Sequence, residues 1–392
     1  LPKNIQISQY DLPISVNGYL DIEAGGKSKR IGIRRAHLEE DAGKLMHKET
    51  VSLVDYNRTG QPLLEIVSEP DINSPEEAYE YLTSLKTIIQ YTGVSDCDME
   101  KGTLRCDANI SVRPAGTMGL GVKSELKNLN SFKAVKESLS YEIERHKEIL
   151  AEGGTIVQET RLWDEKTGRT VSMRSKEEAK DYRYFPEPDL PPFEITKEKI
   201  SAIKQTIPEL PKDKYQRFIN EYGLQETDAK QLTLSRQTAD FAEMLIREFP
   251  GTDKKPVVNW LIGPLSSEAN SRNCQLQELA LKPRDLIELI RLVENQQISN
   301  LTGKAVLTEM ISTQRSPIAI VSEKNLIQVS DESMIEKEAD AVILENPKVA
   351  LDFKSGKENA VMFLVGQVMK KTKGKANPKV VKDVLTRRLK DV

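Results

Sequence analysis

Four prolines between Pro186 and Pro192 constrain the fold of this chain more than any other feature of its sequence. Proline's fixed φ angle and missing N–H exclude a helix through the run and favour an extended backbone. Strand-like and helix-like patterns alternate before the run. After about residue 206 the strand patterns largely disappear, and apolar residues recur at helical spacing, as between Leu286 and Val293. The sequence predicts a mixed α+β domain followed by helices.

The length of 392 residues exceeds what one hydrophobic core usually organises. We predict three domains, at residues 1–205, 206–317 and 318–392. The formal net charge is −3, with 38% hydrophobic and 30% charged residues, which excludes a disordered chain and a generic polycationic nucleic-acid binder. The three cysteines form no CxxC pair, which excludes a disulfide scaffold and a cysteine-built zinc site.

The sequence contains neither a secretory leader nor an apolar run long enough to cross a membrane. We therefore expect a cytoplasmic protein, or a mitochondrial or plastid one if its source is eukaryotic. The chain begins with Leu1 and Pro2 instead of Met, so we expect it to start inside a longer protein.

Three local elements can be predicted from turn and capping signals. A β-hairpin is predicted between Gly18 and Ile33, turning at Gly25-Gly26. One helix should begin after Ser74 and stop near Gly93, and a second should run from about Ser131 to Glu152. On the second helix Leu150 should face the core, and His146, beside Glu144 and Lys147, should face solvent.

Carboxylates mark the first candidate site. Glu39, Glu40 and Asp41 are consecutive, and such charge runs are most often solvated loops. Glu65 interrupts the apolar strand-like segment Leu63–Val67. A carboxylate there needs either an arginine partner or a metal ion, because an unpaired buried charge is costly.

A second polar surface is predicted from two strands, residues 104–112 and 123–127. Alternation places Arg105, Asp107 and Asn109 on one face of the first strand, and Lys123, Glu125 and Lys127 on one face of the second. If the strands pair, these faces form one polar wall, which suits phosphate and Mg²⁺ or is simply solvated. No P-loop, HExxH or GxSxG motif is present, and Ser–His–Asp hydrolysis has little support.

The C-terminal segment from Lys370 to Lys390 carries nine lysines and arginines and contains the single acid Asp383. Such a cluster is either a contact for a nucleic-acid backbone or a solvated terminus.

The whole chain resembles the family of B subunits of tRNA-dependent amidotransferases (GatB). The resemblance is carried by KRIGIRRAHLEEDAGK, SLVDYNRTGQPLLEIVSEPDI, GTLRCDANISVRP, KSELKNLNSF and DYRYFPEPDLPP, and in the helical part by TIPELP, NWLIG and FLVGQVMKKTKGKANP. It implies an antiparallel-sheet cradle domain, a helical domain and a YqeY-like helical tail that binds tRNA.

The resemblance also implies a reaction. In this family the B subunit uses ATP and Mg²⁺ to phosphorylate the side-chain carboxylate of Glu-tRNA(Gln) or Asp-tRNA(Asn). Ammonia released from glutamine by an amidase-type A subunit then displaces the phosphate, and a small C subunit holds the large subunits together.

The family's site residues can be transferred onto matching positions. Glu40, Glu65 and Glu125 match the family's metal-coordinating carboxylates. The resemblance therefore implies that these three residues are also the catalytic ones. Arg105 and Lys123 are expected to contact the phosphates of ATP, from strand alternation.

The family's N-terminal segment, with a Gly-Leu-Glu-x-His strand that supplies further metal ligands, has no counterpart in this sequence. Two alternatives to the catalytic subunit remain, and the missing segment favours the first of them. One is a non-catalytic tRNA-binding or scaffolding module of the same complex. The other is a stand-alone carboxylate–amine ligase, which would need no amidase partner.

Overall fold

A two-glycine turn joins the two longest strands of the fold. Gly25 and Gly26 have φ angles of 58° and 73°, in the left-handed region that glycine enters without strain. The flanking strands, Ser15–Ala24 and Lys27–Glu40, pair antiparallel. The hairpin predicted from the sequence is confirmed.

The computed structural model describes residues 6–48, 51–175, 184–327, 332–355, 357, 359–372 and 376–391. The chain divides into two compact units, Leu1–Leu210 and Pro211–Val392. The proposed domain boundary near residue 205 lies a few residues before this division. The boundary proposed at 317–318 stays a prediction.

The first unit contains the strands. In chain order they are β1 (Gln6–Ile7), β2 (Ser15–Ala24), β3 (Lys27–Glu40), β4 (Lys44–Lys48), β5 (Val51–Asp55), β6 (Pro62–Ser68), β7 (Ala108–Ile110), β8 (Ser124–Lys127), β9 (Glu159–Asp164), β10 (Arg169–Ser175) and β11 (Tyr184–Phe185). β2, β3 and β6 form an antiparallel sheet, and β4 pairs antiparallel with β5. The α+β class is confirmed.

The four-stranded sheet, in the order β10-β9-β8-β7, is not wholly antiparallel. Its outer pairs are antiparallel, but β8 and β9 run parallel. The reason is the helix between them, because parallel strands need a crossover connection. β1 and β11 are also parallel.

The described residues of this unit form three helices: α1 (Pro75–Thr92), α2 (Phe132–Ala151) and α3 (Lys197–Thr206). The Ser74 hydroxyl caps α1, whose end is marked by Gly93 at φ 74°, and the Ser131 hydroxyl caps α2. Both predicted helices are confirmed. α1 and α2 pack over the sheets around a core that includes Ile22, Ile31, Tyr81, Leu126, Val135, Leu139 and Trp163.

The prediction that His146 faces solvent is wrong. Its side chain is fully buried, where Nε2 lies 3.0 Å from Ser124 Oγ and 3.4 Å from a carboxylate oxygen of Glu142. Glu142 precedes His146 by one helical turn, so both occupy the inner face of α2. Leu150, predicted to be inward, is exposed.

The proline-rich run is non-helical where the structure describes it, as predicted, but it is not extended throughout, because the Leu190 N–H donates a 3.2 Å hydrogen bond to the Glu187 carbonyl and closes a turn. Residues 181–183 lie outside the described part of the chain. β11 opens the run by pairing with β1, and no helix occurs from residue 184 to Thr196.

Every regular element described after Leu210 is helical. The α-helices are α4 (Pro211–Tyr222), α5 (Glu226–Leu232), α6 (Arg236–Glu248), α7 (Lys255–Trp260), α8 (Ser266–Ser271), α9 (Pro283–Glu294), α10 (Asn300–Thr313), α11 (Pro317–Glu323), α12 (Glu332–Glu345), α13 (Pro347–Lys354), α14 (Ala360–Lys371) and α15 (Pro378–Asp391). A π-helical turn at Leu261–Leu265 and a 3₁₀ turn at Leu276–Glu278 complete the set. α11 packs against α9 and α10, and α12–α15 surround a separate apolar core that begins at Ile335. Among the described residues, no helix is long and apolar enough to cross a membrane.

Candidate functional site

The pairing of β3 with β6 places a histidine directly opposite a glutamate. His37 and Glu65 are cross-strand partners, and the register is regular from Arg35 to Glu40. Because side chains alternate along a strand, Glu39 shares the face of His37. The sequence-predicted Glu65 therefore lies beside His37 and Glu39.

These three side chains form a tight cluster. His37 Nε2 lies 2.9 Å from Glu39 Oε1 and 3.6 Å from Glu65 Oε2. One potential ligand atom from each residue falls within 4.8 Å of the other two. His37 and Glu39 are buried, whereas the Glu65 side chain is 44% exposed, so Glu65 opens the cluster to solvent.

Side chains near the N-terminus hold Glu39 in place. Gln6 Nε2 donates a 2.6 Å hydrogen bond to Glu39 Oε2, and Ser8 Oγ donates a 3.0 Å bond to Glu39 Oε1. A carboxylate fixed by several donors keeps one orientation, as a ligand needs.

The electrostatics of the cluster favour a cation. Burial raises the pKa of Glu65, and the neighbouring charge of Glu39 raises it further, while His37 and Arg35 oppose the shift. A bound divalent ion would relieve the repulsion between the two carboxylates. The two carboxylates suit Mg²⁺ or Mn²⁺, whereas the imidazole is a ligand that transition metals prefer to Mg²⁺.

Glu40 does not belong to this cluster. It is one residue beyond Glu39, so strand alternation turns it to the opposite face of the sheet, near Gly60. The next residue, Asp41, is buried and accepts hydrogen bonds from Arg105, one of them at 3.3 Å.

Glu125 lies in the other sheet, on β8. Thr160 Oγ1 donates a 2.7 Å hydrogen bond to Glu125 Oε2, and Lys127 Nζ lies 3.4 Å from Glu125 Oε1. Burial alone would raise the pKa of Glu125, but the Thr160 bond and the charges of Lys127 and Lys123 outweigh it, so the pKa is lowered. Glu125 is ionised at neutral pH.

The predicted polar wall is confirmed. β7 is shorter than expected, but it pairs with β8 so that Asn109 faces Glu125. Lys127 contacts Asp107 at 2.8 Å as well as Glu125. Arg105, at the N-terminal end of this polar wall, forms an ion pair with Asp41, the residue that follows β3.

The two expected phosphate contacts differ in their surroundings. Arg105 is committed to Asp41, whose hydrogen bond raises the pKa of Arg105. Lys123 is exposed and close enough for its charge to lower the pKa of Glu125.

Sequence reasoning noted Glu39 only as one of three consecutive acids, without assigning it a role, and did not select His37. The usable signal was the spacing of His37 and Glu39, two residues apart on a strand. It becomes informative only when β6 is known to place Glu65 opposite His37.

A second buried polar cluster, around Ser124, His146 and Glu142, does not form a hydrolytic triad. Ser124 and Glu142 both contact the same ring nitrogen, Nε2, and all three side chains are fully buried. A triad needs the acid at the other nitrogen and an accessible hydroxyl.

The basic residues of the tail divide into two groups. Lys371 pairs with Glu345 at 2.6 Å, and Arg387 pairs with Glu336 at 2.7 Å, so both are tied to α12. Lys379, Lys382 and Lys390 are exposed along α15. Lys373 and Lys375 lie outside the described residues.

Comparison with known proteins gives matches over nearly the whole chain. The family described as "GatB/GatE catalytic domain" matches residues 1–201, and the family described as "GatB domain" matches residues 240–389. The chain is 53% identical over 394 residues to the B subunit of the aspartyl/glutamyl-tRNA(Asn/Gln) amidotransferase of Carboxydothermus hydrogenoformans, covering 99% of this chain and 82% of that protein. The protein of the same name from Caldanaerobacter subterraneus is 55% identical over 390 residues, with the same coverage, 99% and 82%. That of Brevibacillus brevis is 51% identical over 386 residues, covering 98% and 80%.

Proposed function

Because this chain belongs to the GatB family, we propose that it is the subunit that activates misacylated tRNA for amidation. The reaction is an ATP-dependent phosphorylation of the side-chain carboxylate of Glu-tRNA(Gln), Asp-tRNA(Asn) or both. Ammonia then displaces the phosphate and leaves the amide.

The observation that carries this proposal is the His37–Glu39–Glu65 cluster within the unit that matches the catalytic-domain family. Phosphoryl transfer depends on positioning and on offsetting negative charge. A cluster of carboxylates with one open side, at Glu65, suits that task.

The roles of the residues follow from their surroundings. Glu65 is the exposed ligand, and Glu39, fixed by Gln6 and Ser8, is the buried one. His37 holds both carboxylates in place or adds a nitrogen ligand. When bound, Mg²⁺ would offset the charge on the phosphate oxygens of ATP.

The remaining sequence-predicted residues are proposed to act from the polar wall. Glu125 is held ionised by Thr160 and Lys127, so it is ready to accept a cation. The exposed Lys123 beside it would contact phosphate. We retain Glu40 as a proposed metal ligand on the opposite face of β3, and Arg105 as a weaker phosphate contact, since Asp41 already holds it.

The proposed partners are an amidase-type A subunit that supplies ammonia, a small C subunit and the tRNA itself. The exposed lysines of α15 would contact the tRNA backbone. The proposed location is the cytoplasm, or an organelle if the source is eukaryotic.

The test is an amidation assay of the complex assembled with A and C subunits, misacylated tRNA, ATP and Mg²⁺. We expect ADP and amidated tRNA to form, and both to disappear with Glu65→Gln. If the complex binds tRNA but Glu65→Gln and the parent release ADP equally, the chain is the tRNA-binding module instead. Activity without the A subunit, at physiological ammonia, would favour the stand-alone ligase.

A further inference from the structure

Arg35 differs from the arginines around it. Those neighbours each contact a carboxylate: Arg30 with Asp21 at 2.8 Å, Arg34 with Glu69 at 2.7 Å and Arg58 with Asp41 at 3.7 Å. Arg35 forms no ion pair with any residue that the structure describes, and its Nε is buried without a hydrogen bond. A buried donor without a partner is costly, so such an atom calls for an explanation.

The position of Arg35 ties it to the carboxylate cluster. Arg35, His37 and Glu39 alternate along β3 and share one face, and Glu65 lies opposite His37. The positive charge of Arg35 acts to lower the pKa of the Glu65 carboxylate, although no hydrogen bond joins the two side chains.

An aromatic ring holds the guanidinium beside the cluster. The central carbon of the Arg35 guanidinium lies 4.1 Å from the centroid of the Tyr10 ring. The same ring meets His37 edge to face, with centroids 5.9 Å apart. Stacking fixes the guanidinium plane without using its N–H donors, so the ring contact leaves them uncommitted.

The charge count indicates what would bind there. Glu39 and Glu65 together balance one divalent cation, and Arg35 then adds one positive charge. Such a centre attracts an anion, and a guanidinium binds the paired oxygens of phosphate or carboxylate with two parallel hydrogen bonds.

We propose that Arg35 binds an oxyanion of the substrate beside the carboxylate cluster, either the terminal phosphate of ATP or the side-chain carboxylate that receives it. The proposal rests on the proposed function, because both anions belong to that reaction. It assigns Arg35 a direct contact with the reacting groups.

The test compares Arg35→Gln and Arg35→Lys with the matched control Arg34→Gln in the assembled complex. KM for ATP, KM for misacylated tRNA and kcat are measured separately at saturating Mg²⁺. We expect Arg35→Gln to raise one KM, or lower kcat over KM for that substrate, by about 10- to 100-fold, as for loss of a charged hydrogen bond. A shift with ATP identifies the phosphate, and a shift with the tRNA identifies the carboxylate.

Arg35→Lys should recover part of the loss, since it keeps the charge but not the planar donor pair. Arg34→Gln should leave all three constants unchanged. A lower melting temperature with both KM values and kcat at parent levels would overturn the proposal, because a structural stack on Tyr10 explains that result. Full activity of Glu65→Gln would instead overturn the proposed function, whatever Arg35 does.

Discussion

Thr160 and Glu125 face each other across the parallel strands β8 and β9, and the Thr160 hydroxyl donates a 2.7 Å hydrogen bond to the Glu125 carboxylate. Burial acts to raise the pKa of Glu125, and this bond, ahead of Lys127, is the largest of the contributions that lower it. The pairing of β8 with β9 therefore helps to set both the direction and the ionisation of this carboxylate, together with Lys127 and Lys123.

Thr160→Val removes that donor and keeps the shape of the side chain. The pKa of Glu125 should rise, so protonation should begin to compete with cation binding at a higher pH than in the parent. We expect the acidic limb of the pH–activity profile, measured at subsaturating Mg²⁺, to shift to higher pH. Thr92→Val, which removes a hydroxyl bonded only to the Ile89 carbonyl at a helix end, is the control. An unchanged acid side would show that Glu125 does not take part.

Glu65→Gln should separate activity from stability. We expect Mg²⁺-dependent ADP release to fall by more than about 100-fold, because loss of a partner that only orients a metal ligand already costs about 10- to 100-fold. The pKa of Glu65 is raised in the folded state, so its contribution to stability is present below the ordinary value of 4.5 and is lost as pH rises through the folded pKa. At pH 7 the substitution should therefore leave the free energy of unfolding unchanged or slightly increased.

The matched control is Glu69→Gln, because Glu69 follows the same strand but pairs with Arg34. It should retain full activity. Equal losses in the two variants would mean that the charge of this strand matters in general and the cluster does not.

Glu142→Gln should destabilise the first unit strongly. Glu142 is fully buried against Arg145 at 2.8 Å and Arg161 at 3.1 Å. Removing one partner of a buried ion pair leaves the others uncompensated and typically costs about 3–5 kcal/mol. Denaturant unfolding at pH 7 measures this, and Glu144→Gln, an exposed neighbour paired with Lys147, should change little.

The same network predicts a pH dependence. Burial opposes ionisation of Glu142, but hydrogen bonds from His146, Arg145 and Thr170 outweigh it and lower its pKa to about 2. Its contribution to stability is therefore complete above the ordinary pKa of 4.5 and should decline as pH falls from 4.5 toward 2. In Glu142→Gln the loss of stability over this pH range should be smaller than in the parent, and the remaining slope should come from other carboxylates with lowered pKa values, such as Glu243.

Substituting the exposed lysines of α15 should weaken tRNA binding and make the affinity less dependent on ionic strength. Truncation after Gly366 would also remove Val368, Leu385 and other members of the tail core, so charge substitution is the sharper test. We expect Lys382→Gln to lower affinity and to reduce the log–log salt slope by about 0.7–0.9, the value for one phosphate contact. Lys371→Gln, which breaks only a pair with Glu345, should leave the slope unchanged. An affinity insensitive to salt would mean that these lysines only form a solvated surface near the C-terminus and do not contact tRNA.

Local signals were sufficient for much of the fold. The Gly25-Gly26 turn and the caps at Ser74 and Ser131 act over a few residues, and each element they predict is present. The absence of a helix through the described part of the proline run follows equally from proline's own geometry. Such features need no knowledge of distant partners.

The site depended on contacts that the sequence does not encode locally. Glu65 was recognised because a charge interrupts an apolar strand, but its neighbours His37 and Glu39 come from the register of β3 with β6. His146 was misplaced because its sequence neighbours Glu144 and Lys147 are charged, although the helical period sets it beside Glu142 on the buried face. Charge near a residue in sequence is a poor guide to burial when the helix carries its ion-pair partners on the inner face.

The crossover between β8 and β9 has a consequence for how this protein reaches its native state. Antiparallel neighbours joined by a tight turn can pair early, whereas Glu125 and Thr160 are separated in sequence by α2, so we expect their contact to form later. During synthesis the glutamate leaves the ribosome well before the strand that completes its surroundings. The hairpin carrying His37 and Glu39 can form much sooner. The two carboxylate centres should therefore form at different times. Phosphoryl transfer from ATP should begin only after the slower centre, around Glu125, is complete.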